Sequence, residues 1–249
     1  MKRLFTPERK RVIFFDMNQT LLDPDSAYNE SFIEVLQEYT DRWFSVERDG
    51  IARQALAKFH SEYKSRAGSK KRTSASRLQL RQSSLAAALK PLPLPQEPSF
   101  IQSLLQRIDA RAQQSPKLFP GVLDTLEYLA PRYRLAIISN GRREKQERHL
   151  TALGLDKFFP PEHLFTSQQK DKRKPHAAIF VHAMQAMKVT PKQALMVGNS
   201  WPNDVIGALR AGMDAIWLNP GHKDKSSLRK IGSKKVAVIR KLEQLTVLL

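Results

Sequence analysis

The stretch that decides the fold is Arg11-Val12-Ile13-Phe14-Phe15-Asp16-Met17-Asn18-Gln19-Thr20-Leu21-Leu22. A short apolar run, 12–15, ends at a carboxylate. A run that short and apolar at every residue suits a strand buried on both faces of a parallel sheet better than it suits a helix. In open α/β sheets ligands sit outside the carboxyl ends of the strands, so Asp16 stands where a reacting group belongs. A carboxylate there can attack phosphorus and form an aspartyl-phosphate. Taken alone, an aspartate in such a loop equally serves to cap the next turn.

Working outward, similar short apolar runs occur at 135–138, 194–197 and 215–218, most of them ending at Gly, Asn, Ser or Asp. Between and after them lie amphipathic stretches of helical length, 121–129, 142–153, 177–187 and 204–211. Strands alternating with helices imply βαβ units and a doubly wound, Rossmann-like α/β sheet. The tail adds a strand at 236–239 and a helix at 241–249. One interval breaks the alternation. From about Pro24 to Ser115 only helix-like segments appear, at 28–39, 51–63, 76–89 and 100–112. That block is too long for a loop in a compact domain. The expected organisation is a core of residues 1–23 and 116–249, with 24–115 as an inserted helical domain.

Composition narrows the chemistry. The chain has 249 residues and no cysteine, which excludes disulfides, thiolate nucleophiles and cysteine-held metals. It has no apolar run near ~20 residues, so no membrane span is expected. The basic N-terminus lacks the apolar stretch of a signal peptide, and a cytoplasmic location is the default. A formal charge of +18 attracts anions such as phosphorylated metabolites, nucleic acid or acidic surfaces, and it equally serves solubility. The basic segments 64–81 and 223–241 are where nucleic acid would bind, but neither has interleaved aromatics. Oligomeric state is not legible in this sequence.

Three more segments stand at strand ends or helix starts. Ile138-Ser139-Asn140-Gly141 offers a hydroxyl and backbone N–H groups for phosphate oxygens. Lys174-Pro175 places an ammonium where it can neutralise a phosphoryl group and a carboxylate. Val197-Gly198-Asn199-Ser200-Trp201-Pro202-Asn203-Asp204 brings oxygen ligands suited to Mg²⁺ towards the same cleft. Each segment alone has an ordinary reading as a turn, a solvated lysine or a helix cap.

Their order carries more than any one of them. With Asp16, Ser139-Asn140-Gly141, Lys174 and Gly198-Asn199-Ser200…Asn203-Asp204 in that sequence, the chain resembles the haloacid dehalogenase superfamily over roughly residues 11–221. The insertion resembles its subclass I helical cap. The resemblance implies Asp16 as nucleophile and metal ligand, Thr20 as a hydroxyl bracing the first loop, and Ser139, Asn140 and Gly141 as phosphate-binding. It implies Lys174 as the charge-neutralising lysine, and Asp204 with Asn199 as ligands of Mg²⁺. The main-chain carbonyl of Asn18 completes that metal set, and substrate choice falls to the cap.

Two positions depart from the phosphatase pattern. Asn18 stands where that pattern has an aspartate acting as general acid and base, a service worth roughly 10²–10⁴-fold in rate. Asn199 stands where a carboxylate is commoner. The resemblance therefore implies a Mg²⁺-dependent phosphatase of a small phosphorylated metabolite, working through Asp16 and attenuated by Asn18. The alternatives are a weak or inactive protein binding a phosphorylated ligand or nucleic acid, and, set lower, a dehalogenase.

Overall fold

The computed structural model describes residues 10–40, 48–67, 73–167, 169, 172–222, 226–232 and 234–249. In chain order the elements are β1 (Val12–Phe15), α1 (Pro24–Thr40), α2 (Arg48–Ala67), α3 (Ser74–Leu89), α4 (Pro98–Gln114), α5 (Val122–Leu129), β2 (Arg134–Ser139) and α6 (Arg143–Ala152). Then follow β3 (Leu164–Thr166), α7 (Ala177–Ala186), β4 (Ala194–Gly198), α8 (Gly207–Arg210), β5 (Asp214–Leu218), β6 (Ser226–Ile231), β7 (Lys234–Ile239) and α9 (Leu245–Leu248). The chain divides into two compact units, Met1–Asp23 with Pro116–Leu249, and Pro24–Ser115.

The first unit is a doubly wound α/β domain. Its sheet runs β3-β2-β1-β4-β5-β7-β6. All pairs are parallel except β6 with β7, which is antiparallel. β1 is an interior strand: Val12 lies opposite Arg134 on one side and Ala194 on the other, and Phe15 opposite Ile137 and Val197. From β1 the chain builds outward through β2 and β3, then crosses over and builds outward through β4 and β5. The strand order reverses between β1 and β4, and a crevice opens at the carboxyl ends of strands around such a reversal.

Side chains alternate across a strand, so two cores form. Ile13, Phe15, Leu135, Ile137, Leu195 and Val197 face one layer, packed with Leu126, Leu129 and Leu245. Val12, Phe14, Ala136, Ile138, Ala194 and Met196 face the other, packed with Ile179, Phe180 and Ala208. Burial on both faces is why these strands are apolar at successive residues.

Two strands escape detection by hydrophobic runs. β3 is only three residues long. β6 has the largely polar sequence Ser-Ser-Leu-Arg-Lys-Ile and lies on the sheet edge, paired with β7 alone. Two helices also differ from expectation. The segment 204–211 is entered earlier, through a wide helical turn Trp201–Ile206, and only Gly207–Arg210 is α-helical. The tail at 241–249 is a 3₁₀ turn, Leu242–Gln244, followed by the short α9.

The elements of the second unit among its described residues are all helices, with α3 and α4 joined by the irregular segment 90–97, and α1 to α4 enclose a core of their own that includes Phe32, Leu36, Phe59, Leu85, Leu104 and Ile108. Of its basic run, residues 68–72 lie outside the described residues. Arg66 pairs with Glu62 at 2.8 Å, and Arg81 makes a forked pair with Asp109 at 2.9 and 2.6 Å. Part of the tail run 223–241 also lies outside them, at 223–225 and 233. No described helix is long and apolar enough to cross a membrane.

Candidate active site

β1 ends at Phe15, and the chain enters a tight reversal. The N–H groups of Leu21 and Leu22 both donate to the Met17 carbonyl, at 3.0 and 2.9 Å, and the Gln19 N–H donates to the Leu22 carbonyl at 2.9 Å. Gln19 takes a φ of +61° to close the turn, a left-handed conformation that non-glycine residues adopt only where the surroundings impose it. The turn buries Met17 and Leu21 and folds Thr20 back beneath Asp16. The Thr20 hydroxyl lies 3.3 Å from Asp16 Oδ2 and 3.5 Å from Asn199 Oδ1. The Asp16 N–H donates to the Val197 carbonyl at 2.9 Å, fastening the loop to β4.

Lys174 is the centre of the charge arrangement. Its Nζ donates to Asp16 Oδ1 at 2.5 Å and to Asp204 Oδ1 at 2.7 Å, and all three side chains are buried. Lys174 does not open a helix as its sequence position suggests; α7 begins at Ala177, with His176 capping it through Nδ1. What holds Lys174 is a reciprocal amide clamp. Its N–H donates to Asn140 Oδ1 at 2.8 Å, and Asn140 Nδ2 donates to its carbonyl at 2.9 Å. Asn140 thereby ties the lysine loop to the end of β2.

Burial alone would drive the Lys174 ammonium to lose its proton, but the attraction of Asp16 and Asp204 outweighs it and holds the group above the ordinary lysine range. Asp204 is pushed above the ordinary carboxylate range, chiefly by burial, against the opposing pull of Lys174. One ammonium shared by two carboxylates away from water leaves the pair under-neutralised. The second oxygen of Asp204 reaches back to the Ser200 N–H at 2.8 Å, while the Ser200 hydroxyl accepts from the Asn203 N–H at 3.3 Å. Ser200, not Asp204, is therefore the helix cap. The Trp217 indole N–H donates to the Asn199 carbonyl at 2.9 Å and secures the same loop from β5.

These groups line a cavity of about 340 Å³ formed by Asp16, Asn18, Ser139, Asn140, Gly141, Lys174, Asn199, Ser200, Asn203 and Asp204. Of the residues singled out in the sequence, all but Thr20 line it, and Thr20 sits directly behind Asp16. Ser200 and Asn203 join the wall although sequence reasoning gave them no role, and their place in the Gly198–Asp204 loop was the available signal. Gln146 had none. It lies on the highly polar α6, yet it is buried, its amide nitrogen fills the space beside Gly141, and its Oε1 has no partner among the described residues. The Ser139 hydroxyl accepts from the Gly141 N–H at 3.1 Å, shaping the turn that closes this wall.

A family model described as haloacid dehalogenase-like hydrolase matches residues 10–212, most of the chain and every residue of this cavity. The chain belongs to the haloacid dehalogenase-like hydrolases. It is 40% identical to a glyceraldehyde 3-phosphate phosphatase of Methanothermobacter thermautotrophicus over 102 residues, 41% of this chain and 44% of that protein. The chain thus spans less than half the length of that relative. A more extended match, 25% identical over 216 residues, is to the N-acylneuraminate-9-phosphatase of Rattus norvegicus, covering 85% of this chain and 83% of that protein. Among solved structures, the haloacid dehalogenase-type hydrolase YfnB of Bacillus subtilis, in a magnesium-bound form, superposes with a TM-score of 0.57 at 22% identity, covering 96% of this chain and 99% of that one. That likeness concerns the fold.

Proposed function

We propose that the cavity is a phosphoryl-transfer site and the protein a phosphatase of small phosphorylated metabolites, with Asp16 as nucleophile. The observation that carries this reading is the buried ammonium of Lys174, bonded to Asp16 and Asp204 at the floor of a cavity walled by hydroxyls and amides. The phosphatase names of the relatives support the same class.

In this reading the phosphoryl group lies against Ser139, Asn140 and Gly141. Thr20 keeps Asp16 aimed and Lys174 offsets its charge. A lone pair of an Asp16 oxygen attacks phosphorus, the bond to the leaving oxygen breaks, and an aspartyl-phosphate results. Water then attacks phosphorus, releasing phosphate and restoring the Asp16 carboxylate. Both proton transfers lack a dedicated group: the Asn18 amide can neither give nor take a proton, and the other described carboxylate of the cavity, Asp204, is held by Lys174 and Ser200. The leaving oxygen must take its proton from solvent and the attacking water must give its proton to solvent, which slows both steps. Strong leaving groups are therefore the favoured substrates. The helical unit 24–115, read as a cap, is assigned the choice among them.

The donor set also fits Mg²⁺. The atoms of the cavity able to ligate a cation are oxygens, and Mg²⁺ is held by one or two carboxylates together with substrate phosphate. Asp16, Asp204, the Asn199 side-chain oxygen and the Asn18 main-chain carbonyl would hold the ion. When bound it supplies positive charge against the phosphoryl oxygens.

The deciding experiment is a panel of phosphorylated metabolites and an aryl phosphate, assayed for phosphate release with Mg²⁺ and with chelator. Release that depends on Mg²⁺ and is abolished in Asp16→Asn is the expected result. Turnover that survives Asp16→Asn removes Asp16 as nucleophile. A silent panel with a phosphorylated ligand still bound points to a binding protein, the reading that Asn18 favours as second choice.

A further inference from the structure

A second cavity, of about 520 Å³, lies in the same α/β unit beside the loop that follows β1. Gln19 and Thr20 form one edge, and the rest comes from the segment before α5, the end of β5 and the chain leaving β7. Its body is apolar, built by Phe119, Pro120, Leu218, Pro220 and Leu242. A volume of this size is in the range of small-molecule sites, about 300–1,000 Å³. Among the described residues Asn199 is the one shared with the phosphoryl cavity. Thr20 separates the two: it lines this cavity, while its hydroxyl lies 3.3 Å from Asp16 Oδ2.

Three charged side chains stand in this wall, Arg240, Lys241 and Glu243. The turn that presents them is held by Gln244, whose Oε1 accepts from the N–H groups of Arg240 at 2.7 Å and Lys241 at 3.0 Å. Arg240 is fixed further, its Nε donating to the Pro220 carbonyl at 3.2 Å. Glu243 does not pair with either cation. Its carboxylate lies against Gly121, where a Cβ would stand, and its Oε2 is buried without a partner among the described residues. Among those residues no ion pair engages Arg240 or Lys241, whereas Arg81, Arg107 and Arg111 of the helical unit each meet a carboxylate. Two cations and one carboxylate leave the wall with one net positive charge beside its apolar surface.

An inorganic anion here would meet the cations but leave the apolar wall to water. An uncharged apolar molecule would cover the wall but make no charge-assisted bond. A molecule with both parts gains from both, by apolar burial and by charge-assisted hydrogen bonds. We propose that this second cavity binds a small organic acid with one negative charge and an apolar body. Its carboxylate meets Arg240 and Lys241, and its body lies against Phe119, Leu218 and Leu242. The acid sits behind Thr20 and not against Asp16, so it and a phosphoryl group occupy different cavities. The inference does not draw on the phosphatase reading.

The test is calorimetric titration of the full chain with indole-3-acetate, phenylacetate and octanoate, each compared with acetate and with its own uncharged amide. The expected result is that at least one of the three acids binds at one site per chain, at least tenfold tighter than acetate and than its amide. No saturable binding of any acid, or amides that bind as well as the acids, overturns the inference. Arg240 and Lys241 are exposed, so Arg240→Gln combined with Lys241→Gln is expected to fold and to weaken the acid at least tenfold. A folded double variant with the parent's affinity also overturns it. Saturating orthophosphate with MgCl₂ is expected to leave the acid bound. Displacement would place the acid in the phosphoryl cavity and overturn the second site. The outcome is separable from the assignment of activity: acid binding in a protein that releases phosphate from no substrate removes the phosphatase reading and leaves this site standing.

Discussion

The carboxylate of Asp204 occupies the space in which a side chain at Gly198 would begin. Gly198 is the last residue of β4, and the chain leaves the sheet there, turns through Asn199 and Ser200, and brings Asp204 back across the strand end. Glycine is required at that point because a carboxylate passes close to its Cα, not because the backbone is left-handed.

Gly198→Ala therefore forces a Cβ onto a carboxyl group that Lys174 and the Ser200 N–H anchor, and moving it aside breaks those bonds. Overpacking of this kind costs about 1–3 kcal/mol. The expected outcome is a loss of that size in urea denaturation, together with weakened orthophosphate binding. Unchanged stability would show that the loop yields readily.

Removing the ammonium while keeping its stem, as in Lys174→Met, leaves two buried carboxylates facing one another. Stranding buried charge costs about 3–5 kcal/mol. Adding Asp204→Asn to that variant removes one of the stranded charges, so the double variant is expected to be the more stable of the two in thermal melts.

The amide at Asn18 predicts a leaving-group dependence. Asn18→Asp restores a group able to give and take a proton, and turnover on alkyl phosphates should rise by roughly 10²-fold or more. An aryl phosphate, whose leaving group needs no proton, should gain far less. Equal gains on both substrates, or losses on both, would mean that the wall has been rebuilt around the amide.

At the opposite end of the sheet Lys10 is buried against Asp214 at 2.9 Å and the Ala194 carbonyl at 2.8 Å. Burial, outweighing Asp214, holds its ammonium below the ordinary lysine value of 10.5. The folded chain gives up that proton before the unfolded chain does, so stability gains with pH between the lowered value and 10.5. Relative to Lys10→Met, the parent should gain stability across that alkaline range in urea titrations at stepped pH. A constant difference between the two proteins would contradict this.

Much of the fold was legible because burial on both faces writes itself into residue type. The runs ending at Phe15, Ile138, Val197, Leu218 and Ile239 all became sheet strands. β3 and β6 were not legible, the first too brief for a pattern and the second polar on an edge. The helical content of 24–115 was also readable, since periodicity is a local property.

Residue order alone determined that Asp16, Ser139 and Asp204 belong at one end of a sheet, because strand polarity sends every loop after a parallel strand to the same side; Lys174 follows the illegible β3, and only its place in the order of motifs pointed to that end. Only the tertiary structure decided what they do to each other. That one ammonium serves two carboxylates, that Asn140 clamps the lysine loop, that Gln146 fills the space beside Gly141 and that Asp204 requires Gly198 all join residues distant in sequence or separated by a turn. Such contacts depend on distances of a few ångströms between side chains, and a linear pattern records residue type and spacing but not those distances.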